Sequence, residues 1–311
     1  MTSRQVLVIG SCNVDISYRV KAAPAAGETV FGTDAVLCVG GKGANQAAAA
    51  AACGAPTRFI ARVGADANGG VIRSQLTQRG VQIDIQEVAP GTASGMALIG
   101  VEPDGQNRIV VISGANDLLK PDDLAPLTAW LDSTSLVVLQ CETPLPTVER
   151  AIELAASRNA TVILNIAPYR PVNLNRLGPQ IHYLVVNETE ASQLTGMTVE
   201  TVQQAIQCAG TIRAKGSPCV IITLGTLGCV VADEQGTQHL AAHKVATIDT
   251  TGAGDAFVGC LAASLSSGHE RLEAVKLANL YAALSTTRPG AQVSLPTQAE
   301  LQAAWAALSR E

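Results

Sequence analysis

A doubly wound, mostly parallel α/β sheet flanked by helices, with a small second β-sheet beside it, is the fold class that three features of the sequence predict. The first is Val6-Leu7-Val8-Ile9-Gly10, a continuous branched-apolar run ending in glycine. That pattern suits a strand buried on both faces at the centre of a parallel sheet. The second is a regular alternation of strand-like and helix-like segments from about Pro121 onward, which implies βαβ units with right-handed crossovers. The third is a set of short β-prone pieces outside that alternation, at Ile16 to Val20, Thr29 to Val39, Met96 to Val101 and Arg108 to Ile112. Four antiparallel strands from two separate places make up the expected small sheet.

Taken in order, the first strand is followed by the polar residues Asn13 and Asp15, at the carboxyl end where open α/β sheets bind ligands. The region of Pro24 and Gly27 separates the first two β-prone pieces. A helix-period run begins at Ala44, and its Ala47 to Ala52 stretch predicts a helix of good helix formers lying tight against the sheet. Pro103-Asp104-Gly105 predicts the turn of the second β pair. The alternation then runs through strand Leu136 to Gln140, helix Thr147 to Arg158, strand Thr161 to Asn165 and strand Tyr183 to Asn187. It continues with a helix around Val199 to Lys215, strand Val220 to Leu224, a hairpin through Asp233 to Gly236, and helices after Gly252.

The 311 residues leave the domain count open between one and two. With 47% hydrophobic and 15% charged residues the chain has ample material for a core. A formal net charge of -5 without a basic cluster argues against nucleic acid or an anionic membrane as partner. A nucleotide stays compatible, since backbone amides and one or two cations hold a phosphate. Val6 to Ile9 is too brief for a signal-peptide core, and no run approaches the ~18 apolar residues of a membrane span; a soluble cytoplasmic protein is expected. The cysteines at Cys12, Cys38, Cys53, Cys141, Cys208, Cys219, Cys229 and Cys260 show no Cys-x-x-Cys and no zinc-finger spacing, so they are expected to be structural thiols in a reducing compartment.

Chemistry concentrates in three places. Gly40-Gly41-Lys42-Gly43-Ala44-Asn45-Gln46-Ala47 is a glycine cluster leading into a helix. It suits close approach of backbone to a ligand at a helix start, or an ordinary tight turn. It is neither a Walker A loop nor a dinucleotide fingerprint. Asp249-Thr250-Thr251-Gly252-Ala253-Gly254-Asp255-Ala256-Phe257 again opens a helix with glycines, between two carboxylates. The amides of Gly252, Ala253 and Gly254 can meet the charge that develops on a moving phosphoryl group. Asp255 is either a base beside an attacking hydroxyl or an acid favoured by the helix dipole. Polar residues also stand at predicted strand ends, namely Asn13, Asp15, Glu142, Asn187 and Glu190; several such ends in one sheet converge on one crevice.

The two glycine motifs, some two hundred residues apart in that order, resemble the two signatures of the PfkB carbohydrate kinases. Gly10-Ser11-Cys12-Asn13-Val14-Asp15, Asn187-Glu188-Thr189 with Glu190, and Ile222-Thr223-Leu224-Gly225 extend the likeness to the ribokinases within that family. It runs from about Val6 to Pro296. The resemblance implies one ribokinase-like domain over 1–311, with lid strands from about 15–40 and 95–112, and transfer of a phosphoryl group from ATP to a sugar hydroxyl, with ribose expected. By resemblance, Asn13, Asp15, Gly41, Lys42, Asn45 and Glu142 bind the sugar and Asp255 is the catalytic base. Gly252, Ala253 and Gly254 match the anion hole. Asn187, Thr223, Gly225, Thr226, Gly228, Gly254 and Asn279 match the ATP site, with Glu190 linked to Mg2+ and phosphate. Asp249, Thr251, Ser285, Arg288, Gly290 and Ser294 fall where the family binds K+, mostly through backbone oxygens. A homodimer packed through the lid is also implied.

This sequence departs from the pattern at Ile166, where ribokinases often have Pro, and at Pro289, where Lys is common. Another acceptor, such as deoxyribose, a nucleoside or a hexose, is the alternative within the family. A non-catalytic sugar or nucleotide sensor is expected to lose Asp255 or the glycines beside it, and both are present.

Overall fold

The computed structural model describes residues 4–88, 90–103 and 107–308. The chain runs β1 (Val6–Ile9), β2 (Asn13–Arg19), β3 (Asp34–Gly40), α1 (Lys42–Ala52), β4 (Thr57–Val63), α2 (Ala67–Gln78), β5 (Gln82–Glu87), β6 (Gly95–Val101) and β7 (Asn107–Ile112). Next come α3 (Ala125–Trp130), β8 (Leu136–Gln140), α4 (Leu145–Ser157), β9 (Thr161–Asn165), α5 (Leu174–Leu177), β10 (Tyr183–Asn187), α6 (Glu188–Thr195) and α7 (Val202–Arg213). Then follow β11 (Cys219–Thr223), β12 (Cys229–Asp233), β13 (Gly236–Leu240), α8 (Ala253–Ser266), α9 (Arg271–Ser285) and α10 (Gln298–Leu308).

The main sheet has the order β13-β12-β11-β10-β9-β8-β1-β4-β5. It is parallel except at the β11–β12 and β12–β13 pairs. From β1 the chain winds first toward β4 and β5, then returns to the other side of β1 at β8. The crevice outside the carboxyl ends of β1 and β8 is therefore the switch point where such sheets bind ligands. Strand β1 feeds two cores: Val6 and Val8 pack on the α1, α8 and α9 side, while Leu7 and Ile9 pack on the α4 and α7 side. Burying each such side chain contributes roughly 1.5–3 kcal/mol, which is why an all-apolar run occupies the centre.

The small sheet has the order β3-β2-β6-β7. It departs from the all-antiparallel expectation, because β2 and β6 pair in parallel. Asn13 pairs with Gly95 at the head of both strands, so the two leave the crevice in the same direction and each returns by its own antiparallel partner. Asp104 and Gly105 of the expected turn lie outside the described residues.

Strands β4 and β5 and helix α2 were not among the elements expected from sequence. In β4 the apolar run is broken by Arg58 and Arg62, whose charges are answered at a distance in sequence. Arg58 lies over the Trp130 ring at 4.6 Å, and Arg62 Nε donates to Asp123 at 2.7 Å. Several boundaries also move: the helix expected from Ala44 begins at Lys42, and that expected over Val199 to Lys215 is confined to Val202–Arg213.

The alanine run of α1, expected to lie tight against the sheet, also lets a second helix, α8, cross it closely. A Cβ on Gly259 would lie 2.4 Å from Ala49 Cβ and 2.6 Å from the Gln46 carbonyl oxygen, so the glycine is required by the approach of one backbone to the other. Gly259→Ala is expected to destabilise the protein by about 1–3 kcal/mol through overpacking. Chemical denaturation checks this, and an unshifted midpoint would contradict so tight a crossing.

Candidate active site

The floor of the crevice is built where β1 and β8 end. Ser11 Oγ donates to Glu142 Oε2 at 2.6 Å, and the Lys42 backbone N–H donates to the same oxygen at 3.0 Å. The start of α1 thus holds a carboxylate, as its orphan amides and dipole favour. Its cap, Gly41, has φ 86°, and a Cβ there would meet Cys12 Cα at 2.8 Å; glycine is demanded on both grounds. Asn13 is buried, and its Oδ1 accepts from Asn116 Nδ2 at 2.8 Å. Asn116 is itself oriented by the Cys12 N–H, which donates to its Oδ1 at 3.0 Å. Asn13 therefore presents its amino group as the donor left for a ligand.

Asp15 sits on β2 above this floor. Its Oδ1 is buried without a hydrogen-bond partner, a state that calls for an incoming donor. Burial, reinforced by the charges of Glu142 and Asp255, raises its carboxyl to about 6. Lys42 lies in the same field: burial lowers its ammonium, but Asp255, Glu142 and Glu190 outweigh that and the net direction is upward.

Asp255 stands in the first turn of α8, buried, behind the left-handed cap Gly252 at φ 75°. Its Oδ2 accepts from Asn45 Nδ2 at 2.9 Å and its Oδ1 from Gln46 Nε2 at 3.0 Å. Asn45 Oδ1 in turn accepts from Gln292 Nε2 at 3.0 Å. The Ala253 N–H donates to the Thr250 carbonyl at 3.2 Å and closes the turn. The Gly252, Gly254 and Asp255 N–H groups take no partner among the described residues and are left for an anion, so of the expected Gly252, Ala253 and Gly254 only Ala253 has its donor committed.

Toward the neighbouring strands, Asn187 and Glu190 form a reciprocal capping box at the start of α6. Asn187 Oδ1 accepts from the Glu190 N–H at 2.8 Å, and Glu190 Oε2 accepts from the Asn187 N–H at 2.9 Å. The box stabilises the helix start and commits one oxygen of Glu190, leaving Oε1. Burial raises the Glu190 carboxyl, against the Asn187 amide and Lys42. Thr223 is in register with Asn187 on β11, followed by Gly225 at φ 51° and Gly228 at φ 92°. Thr226 lies exposed between them. A Cβ on Gly228 would lie 2.0 Å from the Leu240 carbonyl oxygen. Asn279 Nδ2 donates to the Ala241 carbonyl at 2.8 Å, so α9 ties down the strand's exit.

The segment around Asp249 is a separate loop cluster. The Asp249 carboxylate accepts from the Thr251 N–H at 2.9 Å and the Gly290 N–H at 2.7 Å. Burial opposes ionisation there, yet these bonds hold the carboxyl below its usual value. Ser285 and Ser294 hydroxyls donate to the Ala282 and Ala291 carbonyls, at 2.8 and 2.9 Å. The Arg288 guanidinium is engaged by Glu300 at the surface. Side chains are thus committed, and the oxygens this loop can offer a large monovalent ion are mostly backbone carbonyls. No cluster of three or more His, Cys, Asp or Glu ligands occurs among the described residues. Glu190 Oε1, left uncommitted by the capping box, is the oxygen that a divalent ion could take there.

Structure brings Asp15, Lys42, Glu142, Asn45 and Asp255 around one crevice with Asn13 at its floor, and Asn187, Glu190 and Thr223 along the next strand ends. Ser11, Gln46, Asn116, Gln140, Asn165 and Gln292 also build the site and were not singled out. Gln140 and Asn165 carried a signal, as polar last residues of apolar strands.

A family model for the pfkB family carbohydrate kinases matches residues 3–298. The chain belongs to the PfkB family. As a PfkB carbohydrate kinase it is a phosphotransferase with a sugar as acceptor, and it uses ATP. A ribokinase from Haemophilus influenzae is 35% identical over 297 residues, covering 96% of this kinase and 97% of the relative. A deoxyribokinase from Salmonella typhi is 36% identical over 293 residues, covering 94% and 95%. The solved structure of an Arabidopsis thaliana ribokinase complexed with ribose and ATP superposes with a TM-score of 0.88 at 31% identity, covering 97% of this chain and 98% of that one.

A polyol hydroxyl donating to Asp15 requires the carboxylate form. Since that carboxyl is raised to about 6, sugar affinity is expected to fall as pH drops through that value and to level off above it. Calorimetric titration with ribose between pH 5 and 8 checks the sign; an affinity that is flat or rises toward acid would remove Asp15 as an acceptor.

Proposed function

We propose that this PfkB kinase is a ribokinase, transferring the γ-phosphoryl group of ATP to the primary hydroxyl of D-ribose. The observation that carries the reading is the bond from Asn45 to Asp255. It joins a carboxylate at the start of α8 to the helix whose own start holds Glu142, so base, anion donors and polyol groups face one space.

In this mechanism the ribose lies on Asn13, Asp15, Lys42, Asn45 and Glu142, with the Gly41 backbone against it. Donors and acceptors alternate there, as a polyol requires. Asp255 accepts the hydroxyl proton as the oxygen bonds to the γ-phosphorus, and the bond to the bridging oxygen breaks to release ADP. The Gly254 and Asp255 amides and the Lys42 ammonium face the charge that develops. Thr223, Gly225, Thr226, Gly228 and Asn279 border the nucleotide, with Asn187 and Glu190 toward its phosphates. Mg2+ at Glu190 would neutralise phosphate charge. K+ would be held by the loops of Asp249, Thr251, Ser285, Arg288, Gly290 and Ser294, where it adds positive potential near the helix start.

The chain is read as one domain, 1–311, in which the small sheet closes over the sugar and excludes water. The small sheet exposes Leu37 and Val110 in register on one face, and Val36, Ile109 and Val111 on the face that carries Asp15, apolar surface suited to a second copy of the sheet. We assign the protein to the cytoplasm: the cysteines are free, and burial holds the Cys12, Cys141, Cys219 and Cys229 thiols up at about 12, consistent with structural roles.

Deoxyribose is the second reading, favoured by the 36% identity to a deoxyribokinase. Phosphorylation rates on ribose, 2-deoxyribose, hexoses and nucleosides decide between them, and negligible turnover of ribose beside fast turnover of another acceptor ends the ribose claim. Asp255→Asn is expected to lower kcat by roughly 10²-fold or more while sugar binding survives; near-normal turnover would remove it from the mechanism. Light scattering should find a dimer that Leu37→Asp with Val110→Asp converts to monomers. A wild-type monomer at micromolar concentration would discard the dimer.

A further inference from the structure

Behind Asp255 lies a set of buried amides that the transfer mechanism does not use. Gln46 has no exposed surface, yet its side chain makes three hydrogen bonds. Nε2 donates to Asp255 Oδ1 at 3.0 Å and to Asn165 Oδ1 at 3.1 Å, while Oε1 accepts from Gln140 Nε2 at 2.7 Å. These partners admit one orientation. Turning the amide over would set Oε1 against the Asp255 carboxylate and Nε2 against the Gln140 amino group, and all three bonds would be lost. The Asp255 carboxylate and the Asn165 carbonyl oxygen, both acceptors, therefore decide which way Gln46 points, and Gln140, the last residue of β8, whose own Oε1 is buried without a partner, meets the remaining oxygen. Asn165, the last residue of β9, is itself anchored by donating to the Val185 carbonyl at 3.1 Å.

The terminal torsion of an aspartate is soft, so the plane of its carboxylate is set by whatever bonds it receives. Asn45 supplies one donor, on Oδ2. Gln46 supplies the other. Apolar residues of similar size would fill this space without the desolvation cost of buried amides, and the neighbouring positions on α1, Ala44, Ala47, Ala48 and Ala49, are all apolar and buried.

We propose that Gln46, anchored by Asn165 and met on its oxygen by Gln140, is a positioning residue that fixes the direction in which the Asp255 carboxylate meets the acceptor hydroxyl. The inference rests on Asp255 being the base. Without the Gln46 donor the carboxylate rotates about its soft torsion, the sugar stays bound, and the proton transfer loses its alignment.

The test compares Gln46→Met, Gln140→Met, Asp255→Asn and the Gln46→Met/Asp255→Asn double variant, with ribose and ATP as substrates and ribose binding measured separately. Gln46→Met should lower kcat by about 10-fold to 100-fold, the scale of a small misalignment at the reacting atoms, with KM for ribose within about 2-fold of wild type. In the Asp255→Asn background the same substitution should cost less than about 2-fold, because both changes remove one function. Gln140→Met should move kcat in the same direction by less. Unchanged kcat in Gln46→Met, a loss shared between kcat and KM, or losses that multiply in the double variant would overturn the proposal. Should Gln46→Met fail to fold by circular dichroism, Gln140→Met carries the test, and wild-type kcat there overturns it. Undiminished turnover in Asp255→Asn would instead sink the base assignment, a result distinct from failure of the positioning role alone.

Discussion

The close crossing of α1 and α8 is the constraint on which the rest of the site depends. Gly259 lets α8 approach the backbone of α1 at Gln46, Ala49 and Ala50, and that approach brings Asp255 within hydrogen-bonding distance of Asn45 and Gln46. Two helix starts from opposite ends of the sequence thereby open onto one crevice. One holds Glu142 through the Lys42 amide; the other turns the amides of Gly254 and Asp255 toward the same space. A phosphoryl acceptor and an anion can then be held together without a basic surface, which reconciles a net charge of -5 with a nucleotide-using enzyme.

Electrostatics in the crevice follow from crowding. The charges of Glu142, Asp255 and Glu190 act together on the half-buried Lys42 and raise it, while the carboxyl groups of Asp15 and Glu190 are themselves raised, chiefly by burial. Asp15 lacks a partner on Oδ1 and is raised, whereas Asp249, outside this cluster and bonded by two loop amides, is lowered. The contrast shows that bonds to the ionised form can outweigh the desolvation that accompanies them.

Much of the architecture was legible because burial on two faces leaves a plain record in sequence. Strands β8, β9 and β10 were bounded to the residue by largely apolar runs and β1 to within one, and the two glycine motifs marked both helix starts. What was not legible depends on partners distant in sequence. Arg58 and Arg62 disguised β4 until Trp130 and Asp123 were seen to receive them. The parallel pairing of β2 with β6 follows from both strands leaving the same crevice, which no local pattern encodes. Gln140 and Asn165 read as strand ends, and only the fold shows that they meet through Gln46. Asn187 and Glu190 carry a capping box that their sequence spacing allows and that a ligand-based reading alone would miss.

Strand β2 has a consequence for how recognition and motion are linked. Asn13 and Asp15 belong to the strand itself, and the same strand pairs along its length with β3 and β6. A tilt of the small sheet therefore carries these two side chains with it, and holding them still restrains the tilt. On the proposed reading, with the sugar held by these two residues beneath the sheet, grip on the acceptor and the angle of the cover become a single hinge coordinate.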